Sequence, residues 1–112
     1  MKKQSAKKTL NKNLTWEPYD PTWLVELAKK ARMPAIAKAL ARSIKSAKGC
    51  PSYIYFVDPK NPNKPGAEWQ FKKCVILKSP AEGELVLDVL KDGRIGGIEF
   101  LKKLCMDDRD HR

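Results

Sequence analysis

The chain has 112 residues and carries 23 Lys and Arg against 13 Asp and Glu, a formal net charge of +10 at pH 7. Its 42% hydrophobic and 32% charged residues are typical of a single globular domain and exclude a wholly disordered chain. No apolar run approaches the length of about 18 residues that a membrane-spanning helix needs, and no apolar stretch follows the first lysines. We therefore expect neither a membrane protein nor a secreted one.

The chain begins with a lysine-rich stretch. Residues 1–14 hold five lysines among polar residues and offer little apolar surface, so we predict a mobile basic tail. Residues 15–20 are aromatic and are predicted to lie extended against the core. Asp20 and Pro21 are typical of a helix start, because the carboxylate accepts a free backbone N–H and proline has none to leave unpaired. The first helix is therefore predicted at about residues 21–32.

A second helix is predicted at about residues 34–48, directly after the first. Pro34 separates the two, since the residue before a proline avoids the helical conformation. Ile36, Leu40 and Ile44 recur at a helical spacing and form one apolar line. A glycine and a proline shortly after residue 48 indicate where this helix ends.

From about residue 52 the apolar pattern changes from a helical period to the alternation of β-strands. The predicted strands are about 52–57, 68–78, 84–90 and 95–101. These elements predict an α+β fold, in which two N-terminal helices pack on an antiparallel sheet of about four strands. The domain is expected to cover residues 15–105 and to be followed by a frayed end at 106–112.

The last two strands are predicted to form a hairpin, because an Asp-Gly pair lies between two apolar runs. In the register that this turn sets, Leu90 lies opposite Ile95 and Leu87 lies opposite Ile98. A shift by one residue would mix the apolar and acidic side chains on each face, so the register is well defined. The residues assigned to the outer face are Val86, Asp88, Leu90, Ile95 and Glu99.

The hairpin also carries a family resemblance, in its Asp-Gly-Arg-Ile turn and in the Gly-Ile-Glu-Phe-Leu strand that follows. From about residue 52 to residue 101, the chain resembles a short, uncharacterised domain family of prokaryotes and phages. The residues that match the family pattern are Asp88, Asp92, Gly93, Arg94, Ile95, Gly97, Ile98 and Glu99. The family has no assigned activity, so the resemblance implies the hairpin and no catalytic residues.

The positive charge is concentrated in the first part of the sequence. Residues 1–48 carry a net charge of +9, whereas residues 49–112 carry +1. Such asymmetry is typical of a chain that meets a polyanionic partner with one end. On the predicted second helix, Lys38, Arg42 and Lys45 recur at i, i+4 and i+7 and would face the same way. The residues predicted to contact nucleic-acid phosphates are Lys29, Lys30, Arg32, Lys38, Arg42 and Lys45.

These features predict a small, non-enzymatic basic accessory or regulatory protein that contacts DNA or RNA through its N-terminal half. A lysine-rich surface that serves solubility alone is the structural alternative. The functional alternative is a protein–protein interaction module, such as an antitoxin-like or phage or host accessory factor, that docks through the outer face of the hairpin. That face could also form a weak homodimer. The aromatic residues open to a role either in base stacking or in the core are Tyr53, Tyr55, Trp69 and Phe71.

Few residues are suited to catalysis or metal binding. The one histidine is the penultimate residue, His111, and Cys50, Cys74 and Cys105 are too widely spaced for a zinc-binding pair. An odd cysteine count without a pairing pattern is typical of reduced thiols in the cytoplasm. We therefore expect a cytoplasmic protein with no cofactor, metal or catalytic residue. An acidic pair on the outer face, a helix-turn-helix motif and a small basic ribonuclease stay open as alternatives.

Overall fold

Two helices and six strands make up the part of the chain that the computed structural model describes, residues 14–103. In chain order they are β1 (Trp16–Pro18), α1 (Thr22–Lys30), α2 (Pro34–Ala41), β2 (Lys45–Cys50), β3 (Tyr53–Tyr55), β4 (Phe71–Ser79), β5 (Gly83–Leu90) and β6 (Ile95–Phe100), followed by a 3₁₀ turn (Leu101–Lys103). The predicted basic tail, apart from Leu14, and the predicted frayed end lie outside the described residues.

All six strands join one antiparallel sheet in the order β1-β2-β3-β6-β5-β4. The prediction of about four strands is therefore wrong, although helices and sheet together are an α+β structure. One additional strand, β1, comes from the segment predicted to be extended but not counted in the sheet. The other, β2, comes from residues predicted as the end of the second helix. Trp16 pairs with Ala47 and Ala47 with Tyr55, so these two strands extend the sheet beyond β3.

α1 begins one residue later than predicted, because Pro21 and not Asp20 is its N-cap. Pro21 occupies the position before the helix, and the Asp20 carboxylate accepts hydrogen bonds from the Thr22 hydroxyl (2.6 Å) and backbone N–H (3.0 Å). Both bonds lower the pKa of the Asp20 carboxyl below its usual range, and the bond from the Thr22 hydroxyl contributes more than the one from the backbone. One of the N–H groups that a helix start leaves unpaired is thereby satisfied.

The break between the helices comes from the backbone and not from proline alone. α1 ends at Lys30, two residues before its predicted end. Arg32 adopts a φ of +61°, and the Met33 N–H donates back to the Ala28 carbonyl. A left-handed residue with such a backward bond is a common helix terminus. Pro34 then opens α2 in its first turn, where it costs no hydrogen bond.

α2 is shorter than predicted and ends at Ala41 instead of residue 48. The Ser43 hydroxyl donates back to the Ala39 carbonyl at 3.4 Å, which is one way in which serine competes with helix continuation. From Lys45 onward the backbone pairs with β1 and β3 instead. Ile44, predicted to lie on the buried line of the helix, is 62% exposed. Pairing between distant strands overrides the local helical period here.

The β5–β6 hairpin confirms the predicted register over four consecutive pairs, from Leu85 opposite Phe100 to Asp88 opposite Gly97. Gly93 in the turn has a φ of +91°, the left-handed conformation that an Asp-Gly turn favours. The turn chemistry and the alternation of apolar residues thus agree on this element.

Nearer the turn, the register differs from the prediction because β6 contains a bulge. Gly96 is the extra residue, so Ile95 pairs with Val89 and not with Leu90. The Gly96 carbonyl accepts two N–H groups of the chain that leaves β3, at 2.7 and 3.1 Å. The bulge places Ile95 on the side of the sheet opposite to the predicted one.

The sheet has two unlike faces. The helix-covered face carries the larger core cluster, whose main members are Leu24, Leu40, Leu77, Leu85, Leu87, Val89, Ile95 and Ile98. We call the other side the open face, and its smaller cluster consists of Tyr55, Val57, Trp69 and Leu90 with Leu14, Trp16 and Tyr53 packed against them. No residue of α1 or α2 belongs to the second cluster.

Candidate nucleic-acid interface

Five of the six predicted phosphate-binding residues lie on or beside the two helices. Lys29 and Lys30 form the last turn of α1, Arg32 stands in the turn between the helices, Lys38 lies on α2 and Arg42 directly follows it. All five residues are exposed. We call this group the helix corner. Basic residues at the C-terminal end of a helix also stabilise its dipole, so Lys29 and Lys30 have a structural role as well.

Lys45 does not belong to the helix corner. It is the first residue of β2 and lies opposite Pro18. Side chains alternate along a strand, and Ala47, two residues further on, pairs with residues of the open face. Lys45 therefore shares the open face. The predicted helical stripe of Lys38, Arg42 and Lys45 is wrong, because the helix ends before its third member.

No carboxylate within residues 14–103 forms an ion pair with a residue of the helix corner, although Glu26 lies one turn before Lys29 and Lys30 on α1. Within residues 14–103, the ion pairs are those of Arg94 with Glu68 (3.5 Å) and with Asp92 (2.8 Å), and none involves the helix corner. The sequence has no acidic residue between Glu26 and Asp58. An unbalanced cluster of one sign produces a field that attracts ligands of the opposite sign.

Arg42 and Arg94 line the same small cleft, although they lie far apart in the sequence. The cleft has a volume of about 180 Å³ and lies between the end of α2 and the region where β3 ends and β6 begins. Phe56 and Ser43 also line it. Arg94 is not among the predicted site residues, since the Asp-Gly-Arg pattern around it indicates a turn. A contact between an N-terminal helix and this turn has no signal in the sequence.

Asp92 fixes the position of Arg94. The Arg94 backbone N–H donates to Asp92 Oδ1 at 3.0 Å, and Nε donates to Oδ2 at 2.8 Å. Burial tends to raise the pKa of the Asp92 carboxyl, but these hydrogen bonds and the Arg94 charge hold it below its usual range. A guanidinium has five N–H donors, so Arg94 retains donors beyond those used with Asp92.

The structure divides the predicted interaction face. Val86, Asp88 and Glu99 share the open face and are half-buried. Leu90 is fully buried in the cluster of the open face, whereas Ile95 is 1% exposed and lies on the helix-covered face because of the bulge. The five residues therefore do not form one exposed patch, and a charged substitution at Leu90 or Ile95 would disturb the core itself.

Asp88 is a hydrogen-bond acceptor within the open face. It accepts from the Tyr53 hydroxyl at 2.5 Å and from the Cys74 thiol at 3.4 Å. Burial, followed by the Asp88 charge and hydrogen bond, raises the pKa of Tyr53 well above 10. Burial also raises the pKa of Tyr55 to about 12. In the described part of the chain, no group of three or more His, Cys, Asp or Glu is arranged to hold a metal ion.

The aromatic residues considered for base stacking belong largely to the core. Tyr55 and Trp69 are buried and meet edge-on, with ring centroids 6.0 Å apart. Tyr53 packs on Tyr55 at 4.7 Å. Phe71, at 38% exposure, presents more of its surface to solvent. Stacking of bases on Tyr55 or Trp69 would require the open face to unpack.

Comparisons with known proteins add no relative to this description. No profile of a known protein family, no curated protein sequence and no solved structure matches the chain. The resemblance of residues 52–101 to an uncharacterised domain family therefore stays a prediction. The longest helix within residues 14–103 has nine residues, and no helix there has the length and apolar character that a membrane crossing requires.

Proposed function

We propose that this protein is a small, non-enzymatic basic accessory or regulatory protein that binds the phosphates of DNA or RNA through its helix corner. One observation carries the proposal: five exposed basic residues lie on or beside two adjoining helices and form no ion pair among the described residues. A cytoplasmic location belongs to the same proposal and is supported by the exposed, reduced thiol of Cys50.

The dimensions of the helix corner suit several phosphates at once. α2 has eight residues and is therefore about 12 Å long. Duplex DNA carries one charge per about 1.7 Å of its axis, so a surface of this length faces several phosphates. Arg32 and Arg42 can each bind a phosphate through two N–H groups, which lysine cannot do.

The proposal predicts binding that weakens steeply with salt. If four or five residues of the helix corner each neutralise one phosphate, log affinity for duplex DNA falls against log salt with a slope of about −3.5 to −4.5. Fluorescence anisotropy of labelled single- and double-stranded oligonucleotides over a salt series measures this slope. Absence of any signal at roughly 10 μM protein in low salt would overturn the proposal.

A matched pair of double variants separates the helix corner from net charge. Lys38→Ala with Arg42→Ala should reduce the salt slope by about 2 and weaken binding to every sequence alike. Lys72→Ala with Lys73→Ala removes the same charge from exposed positions on β4 and should leave most of the affinity. Equal losses in the two double variants would show that binding reflects overall charge and not the helix corner.

A further inference from the structure

We propose that the cleft lined by Arg42 and Arg94 binds one unstacked base of a single-stranded nucleic acid. The inference rests on the proposed function, because the helix corner is what brings the strand to the cleft. Arg42 belongs to both surfaces, since it is a member of the helix corner and also lines the cleft. A strand with one phosphate on Arg42 therefore has a base within reach of the cleft.

The size of the cleft suits one base. Its volume of about 180 Å³ is smaller than the roughly 300–1,000 Å³ of sites that hold drug-sized molecules. We therefore assign to it a single flat ring system and place the sugar and the phosphate of the same nucleotide outside, where Arg42 is exposed.

The lining of the cleft is mainly apolar. Its apolar members are Ala39 of α2, Phe56 and Val57 of the chain that leaves β3, and Ile95 of β6. Phe56 is half-buried, and its ring packs on that of Tyr19 with the centroids 5.2 Å apart, so its position is fixed by the core. Proteins that bind single strands stack bases on aromatic side chains of this kind, because every base has an apolar face.

The guanidinium of Arg94 is bound at its edge. Nε donates to Asp92 Oδ2 at 2.8 Å, and Nη1 lies 3.5 Å from Glu68 Oε2. Guanidinium N–H groups lie in the plane of the group, so these contacts do not use its flat faces, and arginine planes stack on unpaired bases in RNA complexes. The two carboxylates also offset the charge of Arg94. This side of the cleft therefore suits an uncharged base better than a phosphate.

The α2 side of the cleft suits a phosphate instead. Arg42 forms no ion pair with any residue between 14 and 103, and it can bind a phosphate through two N–H groups. The hydroxyl of Ser43, the next residue, already donates to the Ala39 carbonyl. The two arginines thus differ in their role: Arg42 is assigned to the phosphate and Arg94 to the base.

This division of roles favours a single strand over a duplex. The bases of a duplex are paired at their edges and stacked on their neighbours, so a base enters a pocket only after it has been flipped out at a cost in free energy. Phosphate contacts alone favour the duplex, because its higher charge density releases more counterions per contact. A preference for the single strand is therefore the property that distinguishes the cleft from the helix corner acting alone.

Two labelled single strands of equal length test for the base: oligothymidylate and the same backbone with abasic sites throughout. The helix corner should bind both, because both carry the same phosphates. Oligothymidylate should bind about fivefold or more tightly in anisotropy titrations, which is the lower end of what one stacked base contributes. It should also bind more tightly than its duplex with oligoadenylate at the same salt.

The outcomes separate the two proposals, and the comparison of strands requires no variant to fold. Equal affinities for oligothymidylate and the abasic strand would overturn the base site and leave the helix corner standing. A duplex that binds as tightly as oligothymidylate would also overturn the base site. Binding of none of these nucleic acids would overturn both proposals.

Arg94→Lys and Arg32→Lys provide a matched pair of protein variants. Each keeps the positive charge and removes a flat guanidinium, one in the cleft and the other in the helix corner. Arg94→Lys should lower the ratio of the affinities for oligothymidylate and the abasic strand towards one. Arg32→Lys should weaken both strands by the same factor and keep the ratio. A ratio in Arg94→Lys that equals the wild-type ratio would contradict the role assigned to Arg94.

An acidic peptide with one central phenylalanine tests for a protein partner at the same cleft. We expect that this peptide does not displace oligothymidylate, since Asp92 and Glu68 repel its carboxylates. Displacement by a peptide that binds more tightly than oligothymidylate, with loss of that binding in Arg94→Lys, would overturn the proposal in favour of a protein side chain.

Discussion

The two faces of the sheet exclude water in different ways. On the helix-covered face, Leu85 and Ile98 are fully buried and belong to one cluster with Leu24 of α1 and Leu40 of α2. Aliphatic side chains of this kind are too narrow to shield a sheet by themselves, so they need the second layer that the helices provide.

On the open face, the described residues that cover the sheet are mainly aromatic rings and not helices. Trp69 lies above Gly96, where an added Cβ would come within 2.7 Å of the indole ring. Tyr53 lies above Gly97 in the same way. The ring of Tyr55 contacts both Tyr53 and Trp69, so the three rings form a continuous row beside Gly96 and Gly97. Among the described residues, flat rings on bare backbone cover this part of the open face, and they leave no space for a side chain beneath them.

This contrast indicates opposite sensitivities. The helix-covered face depends on volume that its side chains supply, so it should respond most to a loss of atoms. The open face depends on space that its glycines leave, so it should respond most to a gain of atoms.

The largest effect is expected from a deletion on the helix-covered face. Leu87→Ala should lower the free energy of unfolding by about 3 kcal/mol, because Leu87 is fully buried between the helices and the sheet. Val86→Ala is the matched control, since Val86 is the next residue on β5, lies on the open face and is half-buried. It should cost less than about 1 kcal/mol in the same urea titration. Similar costs at the two positions would show that the faces do not differ in this way.

A smaller effect is expected from an addition to the open face. Gly97→Ala should cost about 1–3 kcal/mol, because the new Cβ would lie 2.7 Å from the Ile54 carbonyl oxygen, which is backbone and cannot swing aside. Gly93→Ala provides the comparison, since its Cβ meets nothing within 4 Å and the cost there is the backbone strain of a φ of +91°. Asparagine tolerates that conformation, so Gly93→Asn should recover most of the lost stability and Gly97→Asn should recover none. If asparagine restored stability at both positions, the loss of stability in Gly97→Ala would come from backbone conformation and not from the contact with the Ile54 carbonyl.

The smallest effect is expected from a single hydroxyl on the open face. Tyr53→Phe should cost about 1 kcal/mol near neutral pH, because it removes the hydrogen bond to Asp88. The pKa of Tyr53 is raised in the folded protein, so the stability that depends on its neutral form is complete below pH 10 and is lost as the pH rises beyond it. Urea titrations of wild type and variant should therefore converge above pH 10. A difference in stability that stays constant through about pH 11 would contradict the assigned role of the hydroxyl.

Those parts of the fold that neighbouring residues determine could be predicted from the sequence. The β5–β6 register follows from alternation and a turn, and it holds from Leu85 to Asp88. The predicted register is wrong from Gly96 to the turn, because a bulge forms there. The Gly96 carbonyl in this bulge accepts hydrogen bonds from the N–H groups of Phe56 and Val57, which are distant in the sequence. The predicted end of α2 is wrong for a similar reason, since residues 45–50 form a strand that pairs with β1 on one side and β3 on the other.

The same distinction applies to the candidate site. The concentration of basic residues in the first part of the sequence is evident without a structure, and five of the six predicted residues lie on or beside α1 and α2, whereas the predicted helical spacing of Lys45 is wrong. Arg94 joins Arg42 only through a tertiary contact. β4 is predicted as a strand, but its place at the edge depends on the strand order, which no local pattern encodes.

The connection from β3 to β4 is longer than the strand order requires. Two strands, β6 and β5, lie between its ends in the sheet, so it must cross three strand spacings, about 14 Å. About five extended residues would suffice for that distance, yet fifteen separate Tyr55 from Phe71. The connection is anchored near both of its ends, because Val57 and Trp69 are buried in the cluster of the open face. Asn63 in the middle of the connection is also bonded to Trp69 and Phe71, so a change of length should disturb the sheet least between Val57 and Asn63.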